Sequence, residues 1–190
     1  YAPSTDQRPG VAPVVAHAVT LPTAMQVVAA DAATEAADNV APVRAPTDSE
    51  IEGLKILAKT ECLADAMYYE ARGEGQAGEL AIAEVVYNRV HNGNYPNNIC
   101  GVVFEGAHLR SGCQFSFTCD RSMHRLREAA AWADAEQLAA EILTGAVSLG
   151  NATGGAINYH ATSVSPYWAP SLHETAKIGR HIFYRGGKPG

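Results

Sequence analysis

No run of apolar residues in this chain reaches the roughly 18 needed to cross a bilayer, and no signal peptide opens it. No Cys-x-x-Cys pair occurs, which argues against a zinc ribbon or a thioredoxin-type redox site. A Gly-x-Ser-x-Gly elbow, a phosphate-binding loop and a dinucleotide fingerprint are missing as well, so cofactor chemistry has no support. Charge is scarce: 18% of residues are charged and the formal net charge is -6, so no nucleic-acid surface is indicated. No internal repeat is present.

What is there is a chain of 190 residues, 47% hydrophobic, enough for one domain with a real core plus an appendage. Residues 1–46 read as that appendage. They hold six of the ten prolines, many alanines and one aromatic, Tyr1. Such a composition buries too little apolar surface to offset the entropy of ordering it, so an extended or disordered Ala/Pro tail is expected. Two short apolar patches within it, Val11 to Val19 and Met25 to Ala30, suit docking on an envelope protein partner. Because the sequence opens at Tyr1 rather than Met, removal of a leader or anchor is the expectation. The negative charge is concentrated here too: residues 1–50 carry six acids against Arg8 and Arg44, a net of -4, which leaves residues 51–190 at -2.

Four cysteines, Cys62, Cys100, Cys113 and Cys119, suit disulfides in an exported protein, with free buried thiols in a cytosolic one as the alternative. Of the three pairings, Cys113–Cys119 with Cys62–Cys100 is favoured, since the first closes a short loop and leaves the other two as partners.

From Thr47 onward the pattern becomes helical. Thr47-Asp48-Ser49-Glu50 matches a capping box ahead of an apolar stripe at Ile51, Leu54, Leu57 and Ala58. Thr60 reads as a second cap, starting a helix that carries Leu63, Ala66, Met67, Tyr69 and Glu70 and stops at Gly73. Further helices are expected over 76–91, within 96–104 and over 125–143. Residues 106–122 suit a disulfide-closed hairpin or loop. Short strands are expected at 157–161 and 181–185, joined by a Pro-containing loop through Trp168. The class is α+β, mainly α, with residues 47–190 forming one domain.

Three histidines, His160, His173 and His181, lie in the last quarter, but their spacings of 13 and 8 match no compact metal-ligand motif, so no metal is expected. A Cys/His nucleophile needs an unpaired thiol, which an even cysteine count disfavours. Carboxylates beside aromatics remain. In Tyr68-Tyr69-Glu70-Ala71-Arg72-Gly73-Glu74-Gly75, a Glu held against aromatic surface can stay protonated near neutral pH and act as a general acid. Tyr68, Tyr69, Phe115, Phe117, Tyr159, Tyr167 and Trp168 are available to line a groove. Sugar rings stack on such faces, and Gln114, Asn158 and His160 offer polar anchors, a set that fits glycosidic bond cleavage.

Residues 63–89, with their Tyr-x-Glu-Ala-Arg-Gly-Glu and Asn-Arg spacing, closely resemble the SleB-type cell wall hydrolases. The blocks Ile99 to Phe104, Cys113 to Phe117 and Gly179 to Tyr184 agree, so the resemblance spans about residues 60–186. The cysteines and Tyr159-His160-Ala161-Thr162 are similar to the Gram-negative, exported branch. The resemblance implies a lysozyme-like helical domain cutting peptidoglycan glycan strands in the periplasm, without a cofactor. It puts Glu70 at the family's catalytic glutamate. It puts Gln114 and Phe115 at groove positions; with Tyr69, Ser116, Tyr159 and His160 they form the expected substrate-binding set, and Arg72, Glu74 and Arg89 are expected as supporting residues. Arg89 suits pairing with a carboxylate. A lytic transglycosylase needs one acid/base, Glu70. A hydrolysing muramidase needs a second group, for which Glu74 is nearest in sequence. The alternative from another class is a structural or recruiting subunit attached through the tail.

Overall fold

The computed structural model describes residues 44–109 and 112–187; the Ala/Pro tail, apart from Arg44 to Pro46, and its two apolar patches lie outside them. The order is α1 (Asp48–Ala71), α2 (Gly75–Val90), α3 (Ile99–Val103), 3-10 turns at Ser116–Thr118 and Ser122–His124, α4 (Ala129–Thr144), β1 (Asn158–Ala161), a 3-10 turn at Ala169–Ser171, β2 (His173–Ile178) and β3 (His181–Arg185). Among the described residues no helix is long and apolar enough to cross a membrane.

Helix α1 starts at the expected capping box: the Glu50 N–H donates to Thr47 Oγ1 at 3.3 Å and the Thr47 N–H to Glu50 Oε2 at 2.7 Å. Thr60 does not begin a second helix. It sits mid-helix with its hydroxyl donating back to the Ile56 carbonyl at 2.9 Å, the i−4 bond open to a Thr that points away from the core. The stripe at Ile51, Leu54 and Leu57 is exposed, so burial begins only one helical stretch later. From Leu63 to Ala71 the helix is the centre of the domain: α1 packs against α2, α3 and α4, and Leu63, Met67 and Tyr68 are essentially free of solvent. Truncating Leu63 or Met67 to Ala there costs about 2–5 kcal/mol.

Helix α4 begins at Ala129, four residues after the expected start, because 125–128 are spent on tethering. The Glu128 N–H donates to the Tyr68 hydroxyl at 2.7 Å, and Arg127 meets Asp65 at 2.6 Å while covering the Trp132 ring at 3.6 Å. Both expected disulfides are formed: Cys62–Cys100 ties α1 to α3, and Cys113–Cys119 closes the loop before α4. A 3-10 turn rather than a hairpin fills that loop, and a second follows it at Ser122–His124.

The three strands form an antiparallel sheet in the order β1-β3-β2. Strand β2 falls in the segment read from sequence as a loop. Of its residues, His-Glu-Thr-Ala-Lys-Ile, four are polar, three are exposed and none is buried, and an irregularity lies between Glu174 and Ala176, so no clean alternation marks them. The face of α2 carries the sheet. Glu84 accepts from the Thr153 N–H and hydroxyl (3.3 and 2.7 Å), Asn88 Nδ2 donates to the Ala156 carbonyl (2.9 Å), and Arg89 Nε donates to the Ile157 carbonyl (2.8 Å). These bonds fix the segment that enters β1.

Candidate functional site

Glu70 occupies the last turn of α1, where the helix must end: Arg72 caps it, and the Glu74 N–H closes a turn onto the Ala71 carbonyl at 2.8 Å. The carboxylate stands where two clefts meet. The first, about 420 Å³, runs from Glu70 and Ser116 over Gln114, Phe115 and Tyr159 to His160, Val164 and Trp168. The second, about 310 Å³, runs the other way from Glu70 and Ser116 past Tyr69 and Asp120 to Arg72 and Arg125. A groove open on both sides of one carboxylate suits a polymer that continues in both directions.

Burial raises the pKa of Glu70 above the ordinary value. A hydrogen bond from Tyr159 and the positive charge of Arg89 pull it down, while Asp120 and Glu74 push it up through their negative charge. Desolvation is the largest of these and wins. Tyr159 is held as a phenol, its own pKa raised by burial and by the Glu70 charge, so its O–H is the donor. Arg89 is buried below the floor of the first cleft. It lies 5.1 Å from the Phe115 ring centre and 6.0 Å from that of Tyr159, and bonds the Ile157 carbonyl. Turned so that its oxygen meets the guanidinium, the Gln114 amide accepts from both terminal nitrogens of Arg89 at 3.0 and 3.2 Å. The result is a fixed positive charge beneath an apolar floor.

His160 is locked between strands: its ring nitrogens meet the Ala161 carbonyl at 2.9 Å and the Tyr184 hydroxyl at 3.0 Å. Its ring stacks on Tyr184 and stands edge-on to Trp168 at 5.7 Å, which builds one wall of the first cleft. Tyr69 turns to the second cleft and stacks on Phe117 at 4.7 Å.

Glu74 points elsewhere. Its side chain, 3% exposed, accepts from the Arg180 N–H at 3.0 Å and meets His181 Nδ1 at 3.2 Å, tying the α1–α2 turn to the β2–β3 hairpin. Gly179 has φ +55°, and a Cβ there would collide with the Glu74 carboxylate. Arg72 is exposed, packs 4.6 Å over the Tyr68 ring and lines the second cleft.

Tyr68 and Phe117 are core residues that also border the second cleft, and Tyr167, 84% exposed, does not line the first cleft, whereas Trp168 does. Sequence reasoning missed Asp120, which with Glu128 shares the second cleft with Glu70. It missed Arg125 there as well, and the position of His181 in the first cleft. Asp120 lies in a Ser-rich loop where an acid reads as a turn former; it accepts from the Ser122 N–H at 2.8 Å, and its pKa is lowered by those bonds. Only the fold of the Cys113–Cys119 loop brings it to Glu70.

Residues 73–184 match the Cell Wall Hydrolase family. The spore cortex-lytic enzyme of Bacillus cereus is 27% identical over 124 residues, 65% of this chain and 42% of that protein; that of Bacillus subtilis is 31% identical over 123 residues, 64% and 35%. The chain thus spans less than half the length of these curated relatives. Among solved structures, the catalytic domain of Bacillus cereus SleB is similar at 29% identity and TM-score 0.50, over 67% of this chain and 89% of that one. The catalytic domain of the germination-specific lytic transglycosylase SleB from Bacillus anthracis is similar at 27% identity and TM-score 0.51, over 67% and 93%. The fold is the lysozyme-like, mainly helical α+β class.

Proposed function

This chain belongs to the cell wall hydrolase family, and we propose that it cleaves peptidoglycan glycan strands between N-acetylmuramic acid and N-acetylglucosamine, with Glu70 as the single general acid/base. The observation that carries this reading is a desolvated carboxylate of raised pKa at the meeting point of two open clefts. Glu70 lies three residues ahead of the span matched to the family, so its role rests on this geometry and on the motif around it.

In the reaction, protonated Glu70 donates its proton to the glycosidic oxygen as the muramoyl C1–O bond breaks, and N-acetylglucosamine leaves as an alcohol. Arg89, fixed below the cleft, then stabilises the carboxylate that forms. The muramoyl C6 hydroxyl attacks C1 and returns its proton to Glu70, which closes a 1,6-anhydro ring and restores the acid. Tyr159 holds the carboxylate in place throughout, while the Trp168–His160 wall and Phe115 present flat surfaces to the sugar rings.

A hydrolysing outcome is the second reading, and Asp120 favours it, since an ionised carboxylate in the second cleft is placed to activate water. Glu74, tied to Arg180 and His181, is not. Two disulfides suit the oxidising cell envelope, and a periplasmic site of action follows from the substrate. The test is digestion of purified sacculi by wild type and Glu70→Gln with mass analysis of the products. Ends lighter by one water, lost in the variant, are expected. Hydrated ends would move the assignment to hydrolysis, and equal, negligible release from both proteins would favour a recruiting role.

A further inference from the structure

Arg72 lines the second cleft and also a third one, of about 330 Å³, between α2 and α4. The third cleft is walled by Gln76 and Glu79 from α2 and by Asp134, Gln137 and Glu141 from α4. On α4 the three polar residues recur at i, i+3 and i+7, so one helical face supplies them. Glu79 is only 8% exposed, yet among the described residues no hydrogen bond or ion pair reaches its carboxylate. The contrast with Glu84 on the same helix is direct: Glu84 is equally buried and takes both the N–H and the hydroxyl of Thr153. Burial and the negative charge of Asp134 both push the pKa of Glu79 up, which is the signature of a carboxylate facing an acid rather than a base. Glu141 already accepts from Gln137 Nε2 at 2.9 Å.

A carboxylate that opens only into the cleft from a buried residue and takes no donor among the described residues, with a second carboxylate beside it, makes the inner end of the cleft acidic. A hard divalent cation would want six or more oxygen ligands, and among the described residues no three acids or histidines gather closely enough to hold one. A primary ammonium, with three donors and one charge, fits the need. Arg72 at the mouth offers the complementary charge for a carboxylate, so cleft and rim together match the two ends of an amino acid. We propose that this third cleft binds the ammonium group of a peptide stem carried on the glycan strand, with Glu79 and Asp134 receiving the ammonium and Arg72 the neighbouring carboxylate. The proposal rests on the glycan-cleaving reading above, because a strand lying along the second cleft brings its peptide substituent to Arg72.

The test titrates the protein with a stem tetrapeptide containing a diamino acid, and with the same peptide N-acetylated, by calorimetry. Turnover is measured in parallel on glycan strands stripped of peptide. The free-amine peptide is expected to bind at least tenfold more tightly than its acetylated form, Asp134→Asn to erase that difference, and turnover of stripped strands to stay unchanged in Asp134→Asn. Asp134 is exposed, so this variant keeps the test sound even if Glu79→Gln fails to fold. Equal affinity for the two peptides would overturn the proposal, as would displacement of the free peptide by millimolar calcium. If stripped strands are not cleaved while the amine preference holds, the glycan-cleaving reading falls and the ammonium site stands.

Discussion

The hydroxyl of Tyr159 on β1 donates a hydrogen bond to the carboxylate of Glu70 at the end of α1. Two elements far apart in sequence therefore set one proton affinity, and they pull against each other. Burial favours the protonated acid, and the phenol favours the carboxylate that proton transfer leaves behind. A general acid that must later act as a base gains from both.

Removing that phenol tests the balance. In Tyr159→Phe the carboxylate loses a donor, so the pKa of Glu70 rises further. The alkaline limb of the pH dependence of kcat/KM, where the acid loses its proton, should move to higher pH. The maximal rate should stay within roughly tenfold of wild type, against a loss of about 10²–10⁴ for Glu70→Gln. An unmoved limb would mean that another group titrates in that limb.

Glu74 and Gly179 should behave as one unit. Glu74→Ala removes the acceptor of the Arg180 N–H and the partner of His181 and should destabilise the fold by about 2–3 kcal/mol. Gly179→Ala places a Cβ against the carboxylate at positive φ and should cost about 1–2 kcal/mol. Without the Glu74 carboxylate the Cβ has room, so urea denaturation of the double variant should show a loss smaller than the sum. Strict additivity would show that the contact does not limit position 179.

Asp65 gives stability a pH slope of definite sign. Burial raises its pKa from 3.8 to about 6, only partly offset by Arg127. Within that window the folded chain holds more protons than the unfolded one, so this site's contribution falls as pH rises from about 4 to about 6 and is level above. The change is roughly 1–3 kcal/mol, the lower figure reflecting the partly exposed Arg127. Melting temperatures of Asp65→Asn across the same range should show a flatter dependence than wild type.

The two disulfides should separate stability from activity. Cys62 and Cys100 are 38 residues apart and Cys113 and Cys119 are 6 apart, so in the chain-entropy model their loss costs about 4 and about 2 kcal/mol. The shorter loop, however, carries Gln114, Phe115 and Ser116 into the first cleft. Replacing Cys113 and Cys119 by Ser should lower sacculus turnover more than melting temperature, and replacing Cys62 and Cys100 the reverse. Full turnover without Cys113–Cys119 would show that the loop is held by its other contacts.

Much of this was legible in the residues because the signals were local. The capping box at Thr47, the glycine turn after Glu70 and the apolar periodicity of α2 each depend on neighbours within a few positions. Strand β2 was not legible, since an exposed edge strand has no buried face to impose alternation. Nor was the continuity of α1, where Thr60 imitates a cap. The direction of Glu74 could not be read either: it depends on Gly179 and Arg180, more than a hundred residues away, and the nearness of Asp120 to Glu70 likewise joins residues 50 positions apart. Sequence spacing identifies which carboxylate is unusual, and only tertiary contacts say which one it works with.

The bonds from Glu84, Asn88 and Arg89 to residues 153–157, and from Glu74 to Arg180 and His181, span 68 to 107 positions. Their consequence is one of timing. A chain that folds as it is synthesised completes its helices first, and at that stage Glu70 is an ordinary carboxylate with no Tyr159 above it and no wall from Trp168. The acid acquires its character when the last thirty or so residues arrive and the sheet closes against α2. Under the proposed function, a truncated chain ending after α4 would then be helical and inactive, and cleavage would arise with the finished molecule alone.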